Sequence, residues 1–211
     1  MENKKKSLWQ FFQMLGKTFM FPIALLSVCG MLLGIGSAFT NSSLIEAVPL
    51  LGNPVLQKIF SFMTTLGLFA FNNLGVLFAM AIPLGLLKEE KEFGAFTGLV
   101  SFMAMHIGTN FYLTITDQLA AADKMTEAGQ GMILGIQTYN TSVLGGIIAG
   151  LMVFWLYPKI SKVKIPEALG FYSRPRLAPI AMLVIMGIFG MVAVPLFWQP
   201  FYNFFKMIGE W

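Results

Sequence analysis

Long apolar runs alternate with short polar segments along the whole chain. A membrane-spanning helix needs about 20 consecutive apolar residues, and roughly five stretches approach that length. The predicted spans are residues 19–39, 68–87, 93–113, 143–157 and 177–198. The fourth is short for a crossing and must extend toward Ser142 or Lys159. The pattern therefore predicts an all-α membrane protein with about five transmembrane helices.

Two further segments have the amphipathic pattern of helices that lie on a membrane surface. Apolar side chains of residues 1–18 recur at helical spacing, with polar side chains on the other faces. Residues 53–67 have a similar pattern, and Pro54 suits a first helical turn. We expect a lead-in helix on the cytoplasmic face, a membrane domain at 19–200 and a short tail at 201–211.

Composition supports a membrane protein and argues against several other classes. Charged residues make up 11% of the chain and hydrophobic residues 56%, with a mean hydropathy of +0.72, whereas soluble domains are about 25% charged. The net charge of +4 is small, and no basic face interleaved with aromatics indicates nucleic-acid binding. The single cysteine, Cys29, has no sequence partner for a disulfide or a Cys-rich metal site.

The distribution of Lys and Arg predicts the orientation. Lys4, Lys5 and Lys6 precede the first span, so the positive-inside rule places the N-terminus in the cytoplasm. Alternation then makes the loops at 88–92 and 158–176 cytoplasmic. The second of these holds Lys159, Lys162, Lys164, Arg174 and Arg176. The two loops on the other side hold only Lys58 and Lys124 as basic residues, which agrees with this arrangement.

Three GxxxG pairs lie within the predicted spans. Small residues at this spacing let helices approach closely in a membrane, either within one chain or between subunits. Both alternatives stay open for these residues, which are Gly30, Gly34, Gly94, Gly98, Gly146 and Gly150.

Three polar residues are candidates for contact with a substrate. His106, the sole histidine, lies in an apolar run, and an ionisable residue inside a membrane segment is a functional candidate. Asn110 follows on the same predicted span, and Asn72 opens the second span near the same outer surface. The structural alternative is that all three occupy helix ends at the outer interface, where a polar side chain costs little.

No pattern in the sequence indicates catalysis. The acidic residues lie in predicted loops, the histidine forms no HExxH pair, and no phosphate-binding loop or nucleophile elbow occurs. We therefore expect neither a catalytic residue nor a bound metal or cofactor in this chain.

Residues 135–180 resemble the membrane permease (IIC) subunit of bacterial sugar phosphotransferase systems, glucose superfamily. The stretch "GIQTYNTSVLGGIIAGLMVFWLYPKI" and the following "KIPEALGFYSRPRLAPI" carry the resemblance. The stretches "LGNPVLQKIF" and "LFAMAIPLGLLKEEKEFGAF" are similar to the maltose/glucose and alpha-glucoside types. The similarity runs from about residue 8 to about residue 200. "FYSRPRLAPI" departs from the family pattern at Ser173, Arg174 and Pro175.

This resemblance implies a bacterial inner-membrane protein that corresponds to the N-terminal, dimerisation half of such a permease. In the family, a IIB domain with a phosphorylated cysteine and phosphocarrier proteins phosphorylate the sugar, and a "GITEP"-like motif in the other half meets it. Neither the motif nor the IIB cysteine occurs here. The resemblance implies import of maltose, glucose or an alpha-glucoside by the intact system, and a homodimer.

Two other interpretations stay open. The chain is a split permease half, or a truncated remnant, that needs a separately encoded partner. Alternatively, it is a small independent membrane transporter that uses His106 and Asn110.

Overall fold

The structure, a computed structural model, describes residues 2–163 and 174–209. These residues form helices and one antiparallel hairpin, which a longer loop at 116–129 separates from the preceding helix. The helices are α1 (Glu2–Phe39), α2 (Ser42–Ala47), α3 (Pro54–Asn72), α4 (Leu74–Leu86), α5 (Lys91–Ile115), α6 (Ser142–Ile160) and α7 (Leu177–Gly209). The strands are β1 (Gln130–Ile133) and β2 (Ile136–Tyr139), and short 3-10 turns lie at Pro49–Gly52 and Arg174–Arg176.

Four of these helices are long and apolar enough to cross a membrane. They are Trp9–Phe39 in α1, Pro54–Asn72, Ser142–Ile160 and Leu177–Ile208. Helix α4 is apolar but shorter, with 13 residues. Helix α5 has 25 residues and fills the position of the third predicted span, but its composition is more polar than that of the four.

The second span was predicted at residues 68–87, and this boundary is wrong. Helix α3 runs from Pro54 through the predicted surface segment to Asn72, and a new helix begins at Leu74. Asn73 ends α3 with its backbone near φ −113° and ψ 20°. Its side-chain amide donates a hydrogen bond to the Phe69 carbonyl at 2.8 Å. The Asn73 backbone N–H donates to the same carbonyl at 3.2 Å, so the side chain adds a second hydrogen bond at the end of α3.

The other helices keep their predicted places with different ends. Helix α6 gains length mainly on the Lys159 side and reaches 19 residues. Helix α1 is continuous through residue 18, and α7 continues to Gly209 through most of the predicted tail. Of the basic loop predicted at 158–176, residues 164–173, including Lys164 and the altered Ser173, lie outside the described residues.

Helices α4, α5, α6 and α7 form the core bundle. Its buried side chains include Phe102, Met105, Val153, Met182 and Met186. Helix α3 packs mainly against α1 instead, where Gly67 approaches the Cys29 backbone. We call this pair the α1–α3 arm. Many of its apolar side chains are exposed, as a protein surrounded by lipid or by other subunits permits.

Contacts along the bundle define two ends. At one end the Tyr157 hydroxyl donates to a Glu90 carboxylate oxygen at 2.9 Å, and the Phe11 ring lies 5.9 Å from that of Phe154. We call this the Glu90 end. At the other, the hairpin end, the hairpin packs beside the last turns of α5, close to where α6 begins. This arrangement agrees with the alternating passage of spans predicted from the sequence.

Candidate functional site

A polar cavity of about 340 Å³ lies at the hairpin end of the bundle. Its walls come from the α3–α4 junction, from Phe102 on α5, from the hairpin and from the start of α6. The polar side chains that line it are Asn72, Asn73, Asn140 and Ser142. A cavity of this size can hold a small ligand, and amide groups provide both donors and acceptors for hydroxyl groups.

The cavity depends on a close approach between α4 and α6. A Cβ atom at Gly75 would lie 2.6 Å from the Phe102 ring and 2.7 Å from the Ser142 carbonyl oxygen. Ser142 itself adopts a positive φ of 45° where α6 begins. The absence of a side chain at Gly75 therefore lets three cavity walls meet.

Asn72 is the one sequence candidate that lines this cavity, and its side chain is exposed. The sequence analysis missed Asn140 and Ser142 as candidates. They lie in the stretch "TYNTS", where polar residues separate an apolar hairpin from an apolar helix. This polar interruption was the sequence feature that could have marked Asn140 and Ser142 as candidates. Their position beside the α3–α4 junction, however, is visible only in the fold.

His106 lies beneath the hairpin, next to the cavity rather than in its wall. Its side chain is 1% exposed, so other parts of the chain enclose the ring. The ring Nδ1 lies 3.3 Å from the Thr138 hydroxyl, and the ring packs edge-on against Phe102 at 4.4 Å between centroids. The Nε2 atom is buried and has no hydrogen-bond partner among the described residues. The hairpin covers His106, which no local sequence pattern indicates.

Asn110 lies one helical turn further along α5 and also holds the hairpin. Its side-chain amide donates to the Gln137 carbonyl at 2.7 Å. His106 and Asn110 therefore contact neighbouring residues of β2, and both attach the hairpin to α5. In this structure the His106 Nδ1 atom and the Asn110 amide contact the hairpin, whereas Asn72 lines the cavity.

Two glutamines extend this attachment to the preceding loop. The Gln137 side chain donates to the Ala120 carbonyl and to the Gln130 side chain, at 2.7 and 2.9 Å. Gln130 in turn donates to the Gln118 carbonyl at 2.7 Å. Beside this network, burial and the neighbouring Tyr112 raise the pKa of Tyr139, so its hydroxyl stays protonated near neutral pH. The hairpin is thus attached both to α5 and to the loop that precedes it.

The glycines of the three GxxxG pairs fall into two groups. A Cβ atom would meet the Ala79 carbonyl at Gly98, Leu87 at Gly94, the Gly75 backbone at Gly146, and Ile82 at Gly150. These four allow close helix contacts within the chain. Gly30 has only the Phe71 ring at 3.8 Å, and Gly34 has nothing within 4 Å. Gly30 and Gly34 therefore leave open space beside α1.

The polar side chains that line the cavity can donate or accept hydrogen bonds. It carries no charged lining residue. Among the described residues, no group of three or more His, Cys, Asp and Glu side chains could hold a metal ion. The arrangement suits a neutral, hydroxyl-bearing ligand better than an ionic one.

Comparisons with known proteins agree with this geometry. Residues 16–211 match the family described as "Phosphotransferase system, EIIC". The chain is 45% identical over 199 residues to the "PTS system maltose-specific EIICB component" of Escherichia coli (strain K12). This match covers 93% of the chain but only 37% of that relative. The chain is a multi-pass membrane protein and belongs to the EIIC family of the phosphotransferase system.

Proposed function

We propose that this chain is the scaffold part of a sugar permease of the maltose/glucose type in the bacterial inner membrane. The 45% identity to a maltose-specific EIICB component, which extends over 93% of the chain, carries the proposal. In the intact system, a sugar such as maltose, glucose or an alpha-glucoside enters from outside. A IIB domain, supplied with phosphoryl groups by phosphocarrier proteins, phosphorylates it at the cytoplasmic face.

The buried polar groups support a scaffold role. Within the described residues, the buried polar side chains are Thr18, Thr97, Ser101, His106, Thr109, Gln130, Thr138 and Thr141. None is a carboxylate or a cation, and several serve contacts inside the chain. The polar cavity forms one side of the sugar path, and groups outside these 211 residues complete it. Because one wall alone gives few hydrogen bonds to a sugar, this chain transports none by itself.

The α1–α3 arm supports assembly as a homodimer. Phe62 on α3 is 65% exposed, and Met31 on α1 is 67% exposed. The open space beside Gly30 and Gly34 lets another helix approach this face. We therefore assign the arm to the contact between two copies.

Sugar uptake tests the scaffold role. In cells that lack their own maltose permease, this chain should give the same uptake of radiolabelled maltose and glucose as an empty vector. The maltose-specific EIICB component, expressed in the same cells, should restore uptake. Uptake above background by this chain alone would overturn the scaffold role and favour a small independent transporter.

Light scattering on the protein purified in detergent tests the dimer separately. The protein mass after subtraction of detergent should be twice the 23.3 kDa of one chain. Phe62→Ser should shift the mass toward the monomer. Leu196→Ser, which alters an equally exposed residue on α7, should leave it unchanged. A monomeric parent chain, or equal effects of the two variants, would rule out the arm as the contact.

A further inference from the structure

A second cavity lies near the Glu90 end of the bundle and differs in character from the polar one. It has a volume of about 440 Å³ and is formed by α1, α4 and the start of α5. Lys17 reaches it from α1 and Lys91 from the first position of α5. The remaining walls are Met14, Thr18, Phe21, Leu84 and Gly85. Two cations from different helices thus share one mostly apolar cavity.

Neither lysine is neutralised within the described part of the chain. No carboxylate there lies within ion-pair distance of Lys17 or Lys91. The nearby Glu90 carboxylate instead accepts the Tyr157 hydroxyl. Glu90 also precedes α5 without a side-chain cap, so the positive end of the helix dipole adds to the charge of Lys91, while Glu92 in the first turn carries the opposite charge. The cavity itself is lined by the two lysines and by no carboxylate of the described residues, which favours an anion there.

The apolar walls identify the kind of anion. Phe21 is 66% exposed, Met14 46% and Leu84 37%, and they lie on helices of a membrane protein. A small soluble anion would leave these side chains without contacts, whereas a lipid would cover them with its acyl chains. Basic pockets between membrane helices bind the head groups of anionic lipids.

We propose that this cavity binds one anionic phospholipid. The phosphate lies between the Lys17 and Lys91 ammonium groups, and an acyl chain lies along Phe21 and Leu84. The Thr18 hydroxyl donates its proton to the Met14 carbonyl at 3.0 Å. It is therefore not available to donate a hydrogen bond to the phosphate. This site is at the opposite end of the bundle from the polar cavity, so it does not depend on the proposed sugar function.

Native mass spectrometry of the purified full chain in detergent tests this site. Phosphatidylglycerol is titrated against the parent chain, Lys17→Gln, Lys91→Gln and the double variant. Each lysine contributes to the affinity through its attraction to the anionic head group. Loss of one should therefore weaken binding about fivefold, and loss of both about 25-fold. Lys58→Gln removes the same charge from an exposed position on α3 and should leave the affinity unchanged within about twofold.

Two ligand controls separate the possible sources of the phosphate. Phosphatidylcholine with the same acyl chains should bind at least about tenfold more weakly, because its net charge is zero. Glycerol 3-phosphate, which has no acyl chains, should not bind measurably. Equal affinity for phosphatidylcholine would contradict the role of the lysines. Tight binding of glycerol 3-phosphate that Lys17→Gln abolishes would assign the cavity to a soluble phosphate and overturn the lipid site.

A charge-conserving variant tests whether changes arise from misfolding. Lys17→Arg combined with Lys91→Arg should keep affinity for phosphatidylglycerol within about threefold of the parent. A loss as large as that of the glutamine pair would contradict the electrostatic argument. Weakening of phosphatidylglycerol binding by Lys58→Gln as large as that by Lys17→Gln would also contradict it.

Discussion

At the scale of single residues, the contact between His106 and Thr138 attaches the hairpin, which lines the polar cavity, to α5. His106→Ala removes a buried ring that packs against Phe102 and also removes the hydrogen bond to Thr138. Because a large side chain and its hydrogen bond are lost together, we expect a destabilisation of about 2–4 kcal/mol. Intrinsic fluorescence of the four tryptophans during heating in detergent measures the fall in apparent Tm.

Thr138→Val is the matched control for this prediction. It keeps the volume of the side chain but removes the hydroxyl group, so it should cost only about 1 kcal/mol. A His106→Ala protein that unfolds at the parent temperature would show that the hairpin does not depend on this contact. Equal effects of the two variants would assign the whole loss to the hydrogen bond.

The sequence marked His106 and Asn110 as candidates but could not predict their surroundings. An ionisable residue in an apolar run is recognisable from the residue types alone. Their partners Thr138 and Gln137 lie beyond a long loop. Asn140 and Ser142 line the cavity for a similar reason: the path of the chain, not local pattern, brings them beside Asn72. Contacts between residues far apart in the sequence produce no periodic pattern of apolar and polar residues.

At the scale of elements, the contact between α4 and α6 requires glycine. A Cβ atom at Gly146 would meet the Gly75 carbonyl oxygen and lie 2.8 Å from the Gly75 Cα. Backbone atoms move less readily than the end of a side chain, so we expect Gly146→Ala to destabilise the protein by about 1–3 kcal/mol. The same thermal measurement in detergent provides the check.

Gly16→Ala provides the comparison on a helix without such a contact. Nothing lies within 4 Å of a Cβ atom at Gly16, and alanine is favoured over glycine inside a helix by about 0.5–1 kcal/mol. The variant should therefore unfold at the parent temperature or slightly above it. If Gly146→Ala also unfolded no earlier than the parent, the close approach of α4 and α6 would be incorrect.

The elements themselves were predictable to different degrees. Apolar runs predicted α6 and α7 because length and composition suffice for a membrane helix. The break at Asn73 was not predicted, since two asparagines can occupy a helix. In the structure, α3 packs mainly against α1, whereas α4 packs mainly against α6 and α5. The hairpin was also missed. Its turn places Leu134 at φ 50° and Gly135 at φ 81°, and leucine is an unusual residue at such a position.

At the scale of the whole molecule, α5 separates two polar loops. The loop before it contains Lys88 and Glu89, and the loop after it contains Asp123 and Lys124. A helix of 25 residues is about 37 Å long, which exceeds the hydrocarbon thickness of about 30 Å. The two loops therefore lie on opposite sides of the membrane when α5 crosses it.

The positive-inside rule assigns these sides and leads to a direct test. Single cysteines are introduced as Glu89→Cys and Asp123→Cys in a Cys29→Ala background, and intact cells are treated with a membrane-impermeant maleimide. Both positions are exposed in the structure. Because the basic segments lie at the Glu90 end, we expect Asp123→Cys to react in intact cells. Glu89→Cys should react only after permeabilisation.

The pattern of labelling discriminates between the possible arrangements of the chain. The reverse pattern would invert the predicted orientation and place the polar cavity at the cytoplasmic side, which would contradict its proposed role in sugar entry. Reaction of both cysteines in intact cells would mean that α5 does not cross the membrane. Labelling of Asp123→Cys alone would place the hairpin end outside, where the proposed path brings a sugar to the asparagine-lined cavity first.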